Sequence, residues 1–402
     1  MKTKIVLTGI FFLGTLIINA QPQNGVGTEN VNGINCLLNF TDSMGTGPSG
    51  TLVRYNGKFY GMSSNGGAHN NGCIWSVNTN GQEYADLFDF DGSNGANPYG
   101  SLAISGSKLY GMTYTGGAHQ SGCVFAINTD GSNYRIILNF NGGNGANPYY
   151  TALTVSGNTL YGMTEAGGKN GDGCLFSIQT DGSRYVDMLD FDGENGANPY
   201  GSLTLSGNIL YGMTSLGGKQ KNGNVFSIQT DGRNYKDIVD FTGLNGSKPC
   251  GSLVVNENTL YGMTVYGGSY NEGCVFSLKI DGSNFKNIVN FDKKNGAYPY
   301  GSLTLMGNVL YGMTKFGGTH DSGVLFSIEN NGDRFAKLFD FNGATGIRPS
   351  GSVCFCGTLI YGLTTSGGVN NAGSIFSFTA NELIYGEVKN IAIKGNNDIV
   401  KQ

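Results

Sequence analysis

Residues 201–249 read GSLTLSGNILYGMTSLGGKQKNGNVFSIQTDGRNYKDIVDFTGLNGSKP, and close copies of this stretch recur along nearly the whole chain. One tyrosine marks the register: Tyr60, Tyr110, Tyr161, Tyr211, Tyr261, Tyr311 and Tyr361 lie 50 residues apart, with one interval of 51 after Tyr110. Repeats of this length stack into one body, so the 402 residues are not read as two or three separate domains. Each copy holds four short runs rich in β-branched and aromatic residues, here 202–205, 209–214, 225–229 and 235–241, bounded by Gly, Asn and Asp. The SGN and TDG connections suit tight hairpins, because Asn and Gly accept the positive φ such turns require. No part of the repeat region has a helical period. The prediction is all-β: a ring of four-stranded antiparallel blades, a β-propeller.

Counting gives seven blades and an offset. The first three strands occur seven times, the last copy spanning 351–378, and the fourth strand also occurs seven times, from 34–40 to 335–341. The last blade therefore lacks its own fourth strand, and 34–40 is expected to supply it, removing the open edges of a linear stack. Phe40 precedes Pro48 by the same eight residues that separate Phe90 from Pro98, so the N-terminal strand is in register. The seventh hairpin also carries Ala380-Asn381-Glu382 where other copies have Asp-Gly. The alternative is that 383–393 forms this strand and leaves 34–40 loose. The expected boundaries are a signal peptide at 1–20, a linker at 21–32, the propeller at 33–379 and a tail at 380–402.

The 68 glycines would suggest disorder in an aperiodic chain, but here they fall at fixed repeat offsets between apolar runs and read as turn residues. Seven of the eight prolines share one repeat position, from Pro48 to Pro349. A net charge of −4 with 13% charged residues offers no basic field for nucleic acid and no polybasic membrane patch. Lys2 and Lys4 before the apolar run 5–18, with Ala20 as a cleavage site, read as a secretory signal, so export from a bacterium is expected. That run is shorter than the ~20 residues needed to span a bilayer, and no integral membrane segment is expected in the mature chain. The expected state is a monomer.

Cys73, Cys123, Cys174 and Cys274 occupy one position in four repeats, held elsewhere by Asn224, Val324 and Ser374. Equivalent positions in neighbouring blades lie beyond the ~7 Å Cα reach of a disulfide, so these read as small buried apolar residues. The candidate bridge is Cys250 to Cys274. Cys354 and Cys356 share one side of a strand and suggest no role.

The run Leu-Tyr-Gly-Met-Thr-x-x-Gly-Gly, followed by Gly-x-Val-Phe-Ser-Ile-x-x-Asp-Gly, resembles the bacterial tandem-repeat family called GloVer, found in exported proteins with various C-terminal anchors. Clear matches are 109–113 with Gly116-Gly117, 260–264 with Gly267-Gly268 and 310–314 with Gly317-Gly318. The resemblance covers roughly residues 50–379 and implies an exported, propeller-like protein; it carries no assigned activity or functional residue. The tail at 380–402 is shorter than the anchoring domain the family leads one to expect.

The repeated tyrosines, methionines and third-strand aromatics, with Trp75 in the place of Phe125 and Phe176, read as packing between blades. Asp89-Phe90-Asp91-Gly92-Ser93-Asn94-Gly95 has the look of an acidic calcium loop, but Asn94 stands where such a loop wants Gly, and other copies lose the charge, so it reads as turn chemistry. His69, His119 and His320 each lie two residues after a Gly-Gly pair, on one rim, yet in blades one, two and six; this exceeds the ~2 Å bond reach around one metal ion. They are kept as rim residues, with no metal and no cofactor expected. Two carboxylates or a nucleophile with its base would be needed for hydrolysis, and no local motif joins Glu165, Glu272 and Asp321.

Variation between copies points to function, because repeated positions serve the scaffold. The residues before each Gly-Gly vary, and among them Tyr114, Glu165, Tyr266, Lys315 and Phe316 suit a glycan or protein ligand on the loop-rich face. An unselected rim is the bland alternative. Blade three adds Tyr150 where other copies carry Gly-Ser, a break in symmetry on the same face. The expectation is a non-catalytic binding or surface scaffold module; the alternatives are a secreted polysaccharide-active enzyme, hydrolase or lyase, and a purely structural envelope protein.

Overall fold

The computed structural model describes residues 30–31 and 33–379. The stretches read as signal peptide, most of the linker and the tail, with the alternative strand at 383–393, lie outside the described residues. Seven antiparallel sheets form a ring of blades, the propeller that the repeat count requires. In blade two the order from the axis outward is Ala103–Ser105, Lys108–Thr113, Cys123–Asn128 and Arg135–Asn139.

The last blade is completed from the other end of the chain. Ile34–Asn39 pairs antiparallel with Ser374–Thr379, placing Ile34 opposite Phe378 and Asn39 opposite Ser374. Asn30–Val31, within the stretch read as linker, folds back on Ile34–Asn39 and adds a short fifth strand.

Seven buried clusters hold the ring, one at each blade interface. Between blades one and two, Tyr60, Met62, Ile74 and Phe90 meet Leu102, Leu109, Phe125 and Ile127. Both faces of a blade are covered, which is why the middle strands read as continuous apolar runs. The glycine of each Leu-Tyr-Gly run faces the third-strand aromatic directly: a Cβ on Gly162 would lie 2.6 Å from Phe176 Cζ.

In blades two to six the innermost strands are shorter than the sequence suggests, and the longer ones of blades one and seven, Thr46–Tyr55 and Ile347–Cys356, break register at the Gly-Ser position. Thr204–Ser206 is strand, whereas 202–203 is not. The reason is that the Gly-Ser backbone turns to the neighbouring blade instead of its own hairpin. Thr51 N–H donates to Ser101 Oγ at 2.7 Å, Ala152 N–H to Ser202 Oγ at 2.8 Å, and Ser252 N–H to Ser302 Oγ at 2.7 Å. Ser352 N–H donates to Thr51 Oγ1 at 3.1 Å, carrying this belt across the closure. A cavity of about 520 Å³ occupies the axis, lined by these Gly and Ser residues and by Tyr150.

The Asp or Asn that ends each fourth strand has one structural task. Asp89, Asn139, Asp190, Asp240, Asn290, Asp340 and Asn39 each accept, through Oδ1, the backbone N–H just after a Gly-Gly pair. Asp91 Oδ1 in turn accepts Ser93 Oγ–H and Asn94 N–H. The acidic stretch is thus a loop cap followed by an Asx turn.

Candidate binding face at the mouth of the central channel

The repeat-wide proline organises this face. The residue before it adopts a left-handed backbone in every copy: Gly47 has φ 62°, and Asn97, Asn147, Asn198, Lys248, Tyr298 and Arg348 have φ between 50° and 56°. The three asparagines use their side chains as tethers. Asn97, Asn147 and Asn198 Nδ2 donate to the carbonyls of Ser64, Tyr114 and Glu165 on the preceding blade at 2.9–3.0 Å. Asn is among the residues that tolerate this backbone, whereas Lys, Tyr and Arg hold it at a cost of order 1 kcal/mol each. Lys248, Tyr298 and Arg348 make no such tether and lie over aromatic rings instead: Lys248 Nζ is 5.6 Å from the Tyr266 centroid and the Arg348 guanidinium 5.5 Å from that of Phe316. Tyr298 stands between them, 5.2 Å from Tyr266 and 6.0 Å from Phe316.

The residue after the proline is tyrosine in four copies, and of these Tyr300, with the added Tyr150, lines the axial cavity. Tyr99, Tyr149 and the added Tyr150 form a mutually packed group with centroids 4.6–5.7 Å apart. Tyr114 joins Tyr99 and Tyr149 at 5.6 and 5.1 Å, and Tyr200 meets Tyr149 edge-on at 5.2 Å. Tyr300 lies under Lys315, whose Nζ is 4.5 Å from its centroid. Burial and the neighbouring phenols push the Tyr150 hydroxyl well above the ordinary range, so it stays protonated.

Glu165 and Tyr266 share a cavity of about 280 Å³ with Tyr200, Cys250, Tyr300 and Lys248. Tyr200 Oη–H donates to Glu165 Oε1 at 2.9 Å. Burial pushes the Glu165 carboxyl above its ordinary value, and this hydrogen bond partly opposes it. Burial and the nearby Arg348 charge lower the Lys315 ammonium.

Of the residues singled out in the sequence, Tyr114, Glu165, Tyr266, Lys315 and Phe316 therefore all reach this face. His69, His119 and His320 do not converge: each is exposed on its own loop, and among the described residues no group of metal-type donors includes a histidine. The group that does fall within 4.8 Å, Cys73, Asp86 and Asp89, lies in blade one, where Cys73 Sγ donates to the Met44 carbonyl. Burial and the adjacent Asp89 raise the Asp86 carboxyl to about 6.

The proposed Cys250–Cys274 bridge is not present; both are free thiols, pushed up to about 12 by burial. Pro249 pairs with Thr264 and Thr264 with Cys274, so a whole strand separates the two cysteines. Two interstrand spacings of ~4.8 Å exceed the reach of a disulfide. Cys274 Sγ instead contacts Thr264 Oγ1 at 3.1 Å.

Sequence reasoning passed over Tyr99, Tyr149, Tyr200 and Tyr300, and also Lys248, Tyr298 and Arg348. The signal was available: the positions flanking the proline read Asn-Pro-Tyr in three copies, then Lys-Pro-Cys, Tyr-Pro-Tyr and Arg-Pro-Ser.

Among solved structures, the fold is similar to an oligogalacturonate lyase from Vibrio parahaemolyticus, with TM-score 0.56 and 9% identity over 88% of this chain and 94% of that one. It is similar too to a puromycin-hydrolyzing peptidase of Mycobacterium tuberculosis, with TM-score 0.56 and 11% identity over 87% of this chain and 55% of that one. A putative 6-phosphogluconolactonase from Bacteroides uniformis gives 0.54 and 16%, covering 82% and 94%. At these identities the likeness concerns the fold alone. No curated protein sequence matches the chain. The profile of the Gloeobacter/Verrucomicrobia repeat matches residues 12–162, 129–315 and 295–398, so the chain belongs to the Gloeobacter/Verrucomicrobia repeat family.

Proposed function

We propose that this protein is an exported, non-catalytic binding module that holds a glycan at the channel mouth. The observation that carries the proposal is the cavity lined by Glu165, Tyr200, Tyr266 and Tyr300 from blades three to six, with Tyr149 packed on Tyr200 and Phe316 linked to Tyr266 through Tyr298. Ring faces suit the C–H faces of a sugar, while phenol hydroxyls, Asn198 and Glu165 offer hydrogen bonds to its hydroxyls. Tyr99, Tyr149, Tyr200 and Tyr300 recur at one repeat position, whereas Tyr114, Glu165, Tyr266 and Phe316 occupy positions that differ from blade to blade. A glycan array followed by calorimetry tests the proposal. Tyr266→Ala and Phe316→Ala are each expected to weaken binding about tenfold, or ~1.4 kcal/mol. Unchanged binding in both variants would remove the site, and capture of a protein with no glycan would replace the ligand class.

An enzymatic role would rest on Glu165, whose half-buried, elevated carboxyl has the character of a general acid. Turnover of a polysaccharide that is abolished in Glu165→Gln would establish it.

A further inference from the structure

Lys248, Lys315 and Arg348 lie over aromatic rings of this face, and none of them forms an ion pair with a carboxylate among the described residues. The ion pairs among the described residues are Lys219–Asp240, Lys293–Glu272, Arg334–Glu329 and Lys337–Asp340. Lys293 shows that a rim lysine here can find an acid, since its Nζ is 3.3 Å from Glu272 Oε1. The three cations lie over ring faces instead: Lys248 over Tyr266, Lys315 over Tyr300 and Arg348 over Phe316. Glu165, which lines the same cavity as Lys248, accepts the Tyr200 hydroxyl and makes no ion pair with that lysine.

Two further features set this half of the face apart. Lys248 and Arg348 occupy left-handed backbone positions that Asn fills in blades two to four, so the cations stand where the backbone tolerates them least. Lys315 is half-buried over Tyr300, the nearby Arg348 charge over Phe316 opposes its own, and neither forms an ion pair among the described residues. A group of this kind is stabilised when an anion arrives between the charges, and a planar carboxylate matches the guanidinium fork.

We propose that the glycan bound here is anionic, with a carboxylated or sulfated sugar unit seated between Lys315, Arg348 and Lys248 and its ring against Tyr266, Tyr300 and Phe316. This rests on the glycan-binding proposal and names its ligand class. Glu165 and Tyr200, across the cavity, then face the hydroxyl groups of the same or the next sugar.

The test compares uronic-acid oligosaccharides with their carboxyl-reduced, otherwise identical counterparts, by calorimetry on the purified protein at low and moderate salt. The acidic oligosaccharide is expected to bind at least tenfold more tightly, with the preference shrinking as salt rises. Lys315→Gln with Arg348→Gln is expected to abolish that preference, while Tyr266→Ala weakens acidic and neutral ligands alike. A sulfated oligosaccharide in parallel separates carboxylate from sulfate as the group recognised, and either one preferred over the neutral ligand supports the proposal. Equal affinity for acidic and neutral glycans would overturn it and leave glycan binding standing. Absence of binding to every glycan would overturn both. Displacement of the oligosaccharide by an equal concentration of inorganic phosphate would show a free-anion site and also overturn it. An unchanged circular dichroism melt of the double variant shows that loss of preference is not loss of fold.

Discussion

At Gly162 the constraint is a ring. The Phe176 side chain of the paired strand lies flat over the place where a Cβ would stand, and Leu153 closes it from the neighbouring side. Gly162→Ala is therefore expected to cost ~1–3 kcal/mol in urea denaturation, through overpacking. Gly157, at φ 55° with open space around it, makes the comparison: Gly157→Asn should be close to neutral, because Asn accepts that backbone. Glu165 carries a different prediction. Its carboxyl is raised in the folded protein, so the folded state holds a proton the unfolded chain has already released. The favourable contribution is present below the unfolded pKa and is lost as pH rises through the folded one. Glu165→Gln should accordingly melt higher than the parent at pH 7, and the difference should close below about pH 4. The Gln side chain still accepts the Tyr200 hydroxyl, so the comparison isolates the charge.

At the scale of the element, the N-terminal strand decides whether the molecule is a ring. Leu38 is buried against Leu363, Ile375 and the blade-one residues Phe59 and Trp75. Asn39 caps the last Gly-Gly loop as Asp89 caps the first, and Phe40 N–H donates to Gly373 O at 3.0 Å. This strand thus performs every task of a fourth strand, although more than 300 residues of chain separate it from its partner. Leu38→Ala should cost ~2–4 kcal/mol, as for a core residue of any internal blade, in a denaturant titration with one transition. A loss under ~0.5 kcal/mol would mean that the closing strand contributes nothing to stability. The offset of the fourth-strand copies made this element legible from spacing alone. The shortened inner strands were not legible, because the Gly-Ser amides bond to serines 50 residues away, and no local pattern distinguishes that partner from a hairpin.

Across the whole molecule, the two halves of the binding face differ more than the repeats suggest. Blades two to four tie their loops to the preceding blade through Asn97, Asn147 and Asn198, while blades five to seven present Lys248, Tyr298 and Arg348 from the same backbone position. Strand type, blade number, order around the ring and the inter-blade core were readable from the chain, because each is written seven times and depends on local alternation and turn chemistry. Tyr114, Glu165, Tyr266, Lys315 and Phe316 were found by asking where the copies vary. Their partners on either side of the proline, the separation of Cys250 from Cys274 and the scattering of the three histidines emerge only once the ring is closed. Periodicity is a property of sequence separation, and a strand or turn needs nothing more. A site shared by five blades depends on how far apart residues 50, 100 or 150 positions distant come to lie around an axis, and that distance is set by packing between blades.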